Sequence, residues 1–336
     1  MLVWQRLLDA IDRHGKAAMA TVIGTRGSAP REAGARIVVL PDASFFGTIG
    51  GGTLEWRAIA DLQAALARTS EPGHDVRSIA LGPELGQCCG GRVDLALEVF
   101  DRSRRDEVAR LAAAEVEGAF RTRAIRDGDG PLIREIDPKG TVPIGSVEKH
   151  GPVIEEGFGD DRRVLYLFGA GHVGRALVLA LAPLPFDVVW VDPRPESFPS
   201  HVPGNVRCVQ AGDPASVLEG AADGAFALIM THNHALDLSI VHKALDTPTL
   251  AYIGLIGSAT KRARFASQLA QAGVPKEDVA RVVTPIGLPG IHSKLPAVIA
   301  ASVTADMLTR DEALRLQARD DANASYPTST FAMRGS

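Results

Sequence analysis

Apolar residues at Leu2, Val3, Leu7, Leu8 and Ile11, with charged residues between them, predict an amphipathic surface helix at the start of the chain. The helical period is then lost. "AAMATVIGT" (17–25) predicts a buried strand, and "RGSAPREAG" (26–34) a polar loop punctuated by glycine and proline. "ARIVVLPDASFFGTIGGG" reads as strand, Pro-Asp turn and strand, ending on three consecutive glycines. Helical spacing returns in "TLEWRAIADLQAALART" (53–69), where Thr53 is a candidate N-cap. Two more strands, "VRSIAL" and "VDLALEVF", flank the stretch "LGQCCGG" (85–91). The pattern predicts a mixed α/β domain over 1–100, followed by an elaborated connector over 101–160 built of one helix and short strands among polar turns.

From residue 162 the alternation sharpens. "RRVLYLFGAGHVGRALVLALAPLPFDVVWVDPR" orders strand, glycine turn, helix and strand, and the later strands "FALIM" (226–230) and "AYIGLIG" (251–257) alternate with helices. That order predicts a Rossmann-like, doubly wound parallel sheet over 161–310. Helices are expected at 259–272 and 295–309, and a mobile polar tail over 311–336. The fold class is α/β throughout.

Composition narrows the function. With 46% hydrophobic and 23% charged residues the chain is an ordinary globular mixture, and a formal net charge of -4 gives none of the basic field that nucleic acid or an anionic membrane requires. The first helix lacks the unbroken apolar core of a signal peptide. The longest apolar run, 176–186, is about half a membrane span and carries prolines. A cytoplasmic protein is expected, with small-molecule or protein partners. Three cysteines, two of them adjacent, make no disulfide framework.

Three regions carry candidate chemistry. Gly169, Gly171 and Gly174 form G-x-G-x-x-G between a strand and a helix, with Asp192 closing the next strand. In that context the glycines admit a pyrophosphate, the helix N-terminus supplies amide donors, and the acid suits a ribose hydroxyl. "THNHALD" follows the next predicted strand, so His232, His234 and Asp237 should meet His172 of the glycine turn at the carboxyl edge of the sheet. These groups suit a divalent metal, hydrogen bonds to a ligand, or a helix cap. Lys261 and Arg262 read as a solvated helix face.

In the first domain Arg26, Ser28, Arg31 and the run Gly50, Gly51 and Gly52 form a second candidate anion site, with the amino end of the following helix free for a ligand's charge. Cys88 and Cys89 lack the gap of a C-x-x-C pair. In a glycine turn they suit a nucleophile, a persulfide carrier or a soft metal ligand. Cys208, on a predicted strand, reads as packing.

Taken together, "GSAPREAGARIVV", "GTIGGGTLE", "GPELGQCCGGRVDL", "LFGAGHVGRALV", "VDPRPESFP", "THNHALDL", "YIGLIGSATKRARF" and "PIGLPGIHSKLPAVIAASVTADML" resemble the XdhC/CoxI family of accessory proteins for molybdenum hydroxylases over nearly the whole chain. The resemblance implies a chaperone with no turnover of its own. Such a protein binds the molybdenum cofactor (molybdopterin), holds it during sulfuration with a cysteine desulfurase, and inserts it into apo-xanthine dehydrogenase. It further implies cofactor contacts at Gln87, Cys88 and Cys89, the thiols facing molybdenum, and a homodimer is expected. Two competing readings come from the residues alone: an NAD(P)-dependent oxidoreductase using the glycine turn, and a metal-binding protein using His232, His234 and Asp237.

Overall fold

The structure, a computed structural model, describes residues 2–68, 73–82, 90–125 and 130–324. The chain forms two compact units, Met1–Asp161 and Arg162–Ser336. Among the described residues no helix is long and apolar enough to cross a membrane.

In the first unit the elements run α1 (Val3–His14), β1 (Lys16–Arg26), β2 (Arg36–Val39), β3 (Phe45–Gly47), α2 (Gly52–Ala67), β4 (His74–Ala80), β5 (Arg92–Asp101), α3 (Arg105–Glu117), β6 (Phe120–Ile125), β7 (Arg134–Ile136), β8 (Val147–His150) and β9 (Val153–Phe158). The first five strands make an antiparallel sheet in the order β3-β2-β1-β5-β4. Its central strand is buried on both faces, which is why β1 reads as an unbroken apolar run rather than an alternation. Ala17 and Met19 pack under α1 and α3, whereas Ala18, Ala20 and Val22 pack under α2. α1 buries Val3, Trp4, Leu7 and Ile11 and has no side-chain cap of its own. Glu115 of α3 supplies one, accepting from the backbone N–H groups of Val3 and Trp4 at 2.8 Å each.

Residues 101–160, expected as a connector, belong to this unit. Phe120 and Phe158 join the core beside Trp4 and Phe100, because β6 to β9 form a second antiparallel sheet, β7-β6-β9-β8, that needs an apolar partner. A buried charge network ties the two sheets. The Arg134 guanidinium donates to both oxygens of Glu98, at 2.9 and 2.7 Å, and to Glu156, which also accepts from Arg36 at 3.0 Å. Burial opposes the charge on Glu156, yet the two guanidinium groups outweigh it and hold the carboxyl below its ordinary range.

The second unit contains β10 (Arg163–Phe168), α4 (His172–Leu181), β11 (Phe186–Asp192), β12 (Val206–Gln210), β13 (Ala225–Ile229), α5 (His234–Leu245), β14 (Leu250–Leu255), α6 (Ala259–Gln271), α7 (Lys276–Val279), β15 (Val282–Val283) and α8 (Pro296–Ala324). All strands are parallel, in the order β12-β11-β10-β13-β14-β15. This is the doubly wound dinucleotide-fold order, whose chain reversal falls between β10 and β13. α5 and α6 cover one face, α4 and α8 the other. The helix expected at 295–309 continues to Ala324, into the segment expected as a tail. Its extension is held by Asp311, which accepts from Arg163 and Arg315, and by Leu314 against the core. Cys208, expected in packing, is exposed on the edge strand β12.

Candidate functional site

Antiparallel order brings three loops of the first unit to one end of its sheet. β1 ends at Arg26 opposite Arg92, the first residue of β5, and Ala80, the last residue of β4, also faces Arg92. β2 begins and β3 ends at the same edge, with Ile37 opposite Gly47. The loop 27–35, the glycine turn before α2 and the β4–β5 connection therefore converge. The backbones of the loop 27–35 and of Gly91 touch. A side chain on Gly91 would come within 2.3 Å of the Ser28 carbonyl oxygen and 2.6 Å of that of Arg26, so this junction requires glycine. The Leu81 N–H donates to the Gly91 carbonyl at 2.8 Å, closing the base of the connection. Gln87, Cys88 and Cys89 lie within that connection and outside the described residues.

What surrounds the base is basic and open. The Arg26 side chain is 73% exposed and 3.5 Å from Asp94. Ser28 and Arg31 are exposed as well. Arg31, Arg36, Thr48 and Phe158, with Glu32 and Glu115, help line a cavity of about 720 Å³ that the same loop borders. The glycine turn behaves differently from expectation. Gly51, not Thr53, is the N-cap of α2, and it offers no side chain. Glu55 folds back instead, accepting from Ile49 N–H at 2.9 Å, Gly51 N–H at 3.3 Å and the Thr48 hydroxyl at 2.5 Å. Burial pushes the Glu55 carboxyl up, but these donors prevail and lower it. The turn at Gly50, Gly51 and Gly52 thus carries its own anion, the Glu55 carboxylate.

One residue escaped the sequence reading. Trp56, one turn into α2, is 70% exposed. The signal was present: Leu54, Ala58, Leu62 and Leu66 mark the buried stripe at four-residue spacing, and Trp56 lies off it.

In the second unit the two crest loops also meet. Gly169 has φ 112°, and a side chain there would lie 2.5 Å from the Met230 carbonyl oxygen and 3.1 Å from Thr231 Cα. Gly174 allows α4 to approach the Gly169 carbonyl, which accepts from the Trp190 indole at 3.1 Å. Gly171 is the N-cap of α4, and His172 opens the helix, exposed. His232 and His234 are likewise exposed.

The two acids of this crest have other duties. Asp192 is 2% exposed and accepts from the Ala170 N–H at 2.8 Å and from the N–H and guanidinium of Arg194 at 3.0 to 3.1 Å. It clamps the glycine turn where a ribose contact was expected. Asp237, expected as a metal ligand, is 1% exposed and accepts from Thr231 N–H at 3.0 Å, Thr231 Oγ1 at 2.7 Å and Lys261 Nζ at 2.6 Å. Lys261 is accordingly half-buried and paired with Asp237 instead of solvated. Asn233 caps α5, accepting from Ala235 and Leu236. Among the described residues His172, His232, His234 and Asp237 form no metal-ligating group.

Residues 165–307 match the model of the XdhC Rossmann domain, and residues 10–76 match that of the XdhC and CoxI family. The chain belongs to the XdhC/CoxI family. Among its relatives, an Escherichia coli (strain K12) protein, "Uncharacterized protein YqeB", is 30% identical over 296 residues, covering 87% of this chain and 43% of its own length. The chain thus spans under half of that relative. A Bacillus subtilis (strain 168) protein, named as a probable subunit of xanthine dehydrogenase, is 25% identical over 328 residues, covering 90% of this chain and 96% of the relative. A Bacillus halodurans crystal structure described as a xanthine dehydrogenase superposes with a TM-score of 0.73 at 22% identity, over 92% of this chain and 96% of that one, and shows a shared fold. The XdhC and CoxI match stops at residue 76, short of the paired cysteines.

Proposed function

We propose that the chain is a carrier for the molybdenum cofactor, holding it during sulfuration by a cysteine desulfurase and passing it to apo-xanthine dehydrogenase. The observation that carries this reading is the convergence of loops at one end of the first sheet, where Arg26 and Arg31 are exposed and Gly90 and Gly91 follow immediately after Cys89; Trp56 is exposed on the helix that follows the glycine turn. The cargo is an anionic, phosphate-bearing heterocycle whose metal is bound by sulfur. Arginine forks suit its phosphate, an indole suits its ring, and thiolates suit its metal. Family membership and the name of the Bacillus subtilis relative favour xanthine dehydrogenase as the recipient.

The glycine turn at Gly169, Gly171 and Gly174 favours a further reading of the second unit, a nucleotide in its crevice. Asp192 must first release Arg194 for its carboxylate to meet a ribose.

Anaerobic molybdopterin binding by the full chain tests the carrier reading. Trp4 and Trp190 are fully buried, so quenching of the exposed indole reports ligand at Trp56. Wild type is expected to bind and to activate apo-xanthine dehydrogenase, and Cys88→Ser and Cys89→Ser to lose at least about tenfold in retention. Absence of molybdopterin binding by the wild type defeats the reading.

A further inference from the structure

We propose that Glu148, His150 and Glu155 form a binding site for a divalent transition-metal ion of the zinc class on the outer face of the second sheet of the first unit. One donor atom from each side chain lies within 4.8 Å of the other two. Strand register produces the grouping. Glu148 of β8 sits directly opposite Glu155 of β9, and His150, two residues along, sits opposite Val153 on the same face. The hairpin between them turns at Gly151 and Pro152, with Gly151 at φ 62°.

The charge of the row points the same way. Arg123 of β6 pairs with Glu135 on one side and Glu155 on the other, so the sheet reads Glu135, Arg123, Glu155, Glu148 across its strands. The Arg123 guanidinium lies 4.0 Å from Glu155. Glu148 and Glu155 offer two carboxylates facing each other across the strands, and His150, with Nε2 3.5 Å from Glu148, adds a third ligand. One imidazole nitrogen with two carboxylate oxygens suits zinc, manganese, iron or cobalt, whereas magnesium and calcium take oxygen alone. His150 is 66% exposed, leaving room for water to complete the coordination. A bound ion would pin β8, an edge strand of its sheet, to β9. None of these residues belongs to the proposed carrier loops, and the inference is independent of that function.

Zinc titrated calorimetrically into the metal-stripped full chain tests it, in the wild type and in a chain with Cys88, Cys89 and Cys208 changed to Ser. The expected result is one zinc site that persists without the cysteines, is not displaced by magnesium, and weakens at least about tenfold in His150→Ala and in Glu155→Gln. Zinc should also raise the Tm of the wild type and leave that of His150→Ala unmoved. If the cysteine-free chain does not fold, the stoichiometries of wild type and His150→Ala decide: one ion fewer supports the site, and equal numbers overturn it. Equal affinity in His150→Ala, or no zinc in a folded cysteine-free chain, also overturns it.

Discussion

Both units gather glycine-rich loops at one end of a sheet, and in both an acid of the chain has claimed the amides beside the glycines. Glu55 takes the N–H groups of Ile49 and Gly51 in the first unit, and Asp192 takes that of Ala170 in the second. The difference lies in what remains around them. The first unit leaves Arg26, Arg31 and the Trp56 indole exposed, whereas the second leaves the imidazoles of His172, His232 and His234. A glycine turn alone therefore does not identify an anion site, because in both units a carboxylate of the chain already holds an amide there. The two units also differ in how their layers are joined. The first adds a buried network of arginines and glutamates to the apolar contacts between its sheets, and the second packs apolar side chains on both faces of its sheet.

That contrast breaks first at Arg134. Arg134→Ala leaves Glu98 and Glu156, both fully buried, without their shared partner, and removal of one side of a buried ion pair costs about 3–5 kcal/mol. Urea unfolding of the full chain should show the first unit destabilised by that amount while tertiary signals from Trp190 in the second stay unchanged. A loss under about 1 kcal/mol, the range of a surface pair, would mean that the network does not join the sheets.

The sequence made the second unit legible and the first only in part, for a physical reason. A parallel sheet buried on both faces writes itself as apolar runs separated by helices, and "LYLF", "VVWV" and "FALI" all fell on strands. The second sheet of the first unit is short-stranded and stitched by Arg36, Glu98, Arg134 and Glu156, residues that sequence patterns assign to solvent. Residues 101–160 consequently read as a connector. The same blindness affected the sites. Asp192, Asp237 and Lys261 look like ligands or surface charges until their partners, Ala170 with Arg194, and Thr231, are in place. The "E-x-H" of β8 and the glutamate of β9 form a group only once the hairpin register is known.

A smaller effect sharpens the comparison at Glu55. Glu55→Ala removes the acceptor for two loop amides and the Thr48 hydroxyl, with an expected cost of about 1–2 kcal/mol, as for a lost helix cap. It should also open the glycine turn to solution anions. Sulfate is then expected to raise the Tm of Glu55→Ala more than that of wild type. If sulfate acts equally on both, the carboxylate is not what occupies the turn.

Asp192 gives the corresponding test in the second unit, through pH. Burial works to raise its pKa, but hydrogen bonds from the Arg194 side chain and from the Ala170 and Arg194 N–H groups outweigh burial and hold it below the ordinary carboxylate value. In the unfolded chain Asp192 titrates near ~3.9. Across the interval below that value the unfolded state binds more protons than the folded state, so stability rises with pH there. The contribution is complete above the unfolded pKa and is lost as pH falls through the folded one. Asp192→Asn keeps an oxygen for Ala170 but loses the charge facing Arg194, at a cost of about 1 kcal/mol at neutral pH. Other carboxylates contribute equally to both proteins, so the gap between wild type and Asp192→Asn isolates this one. Urea unfolding should show that gap at pH 7 and its narrowing as the pH is taken below about 4. A gap that does not change with pH would show that the clamp on the glycine turn rests on the oxygen atoms of Asp192 and owes nothing to its charge.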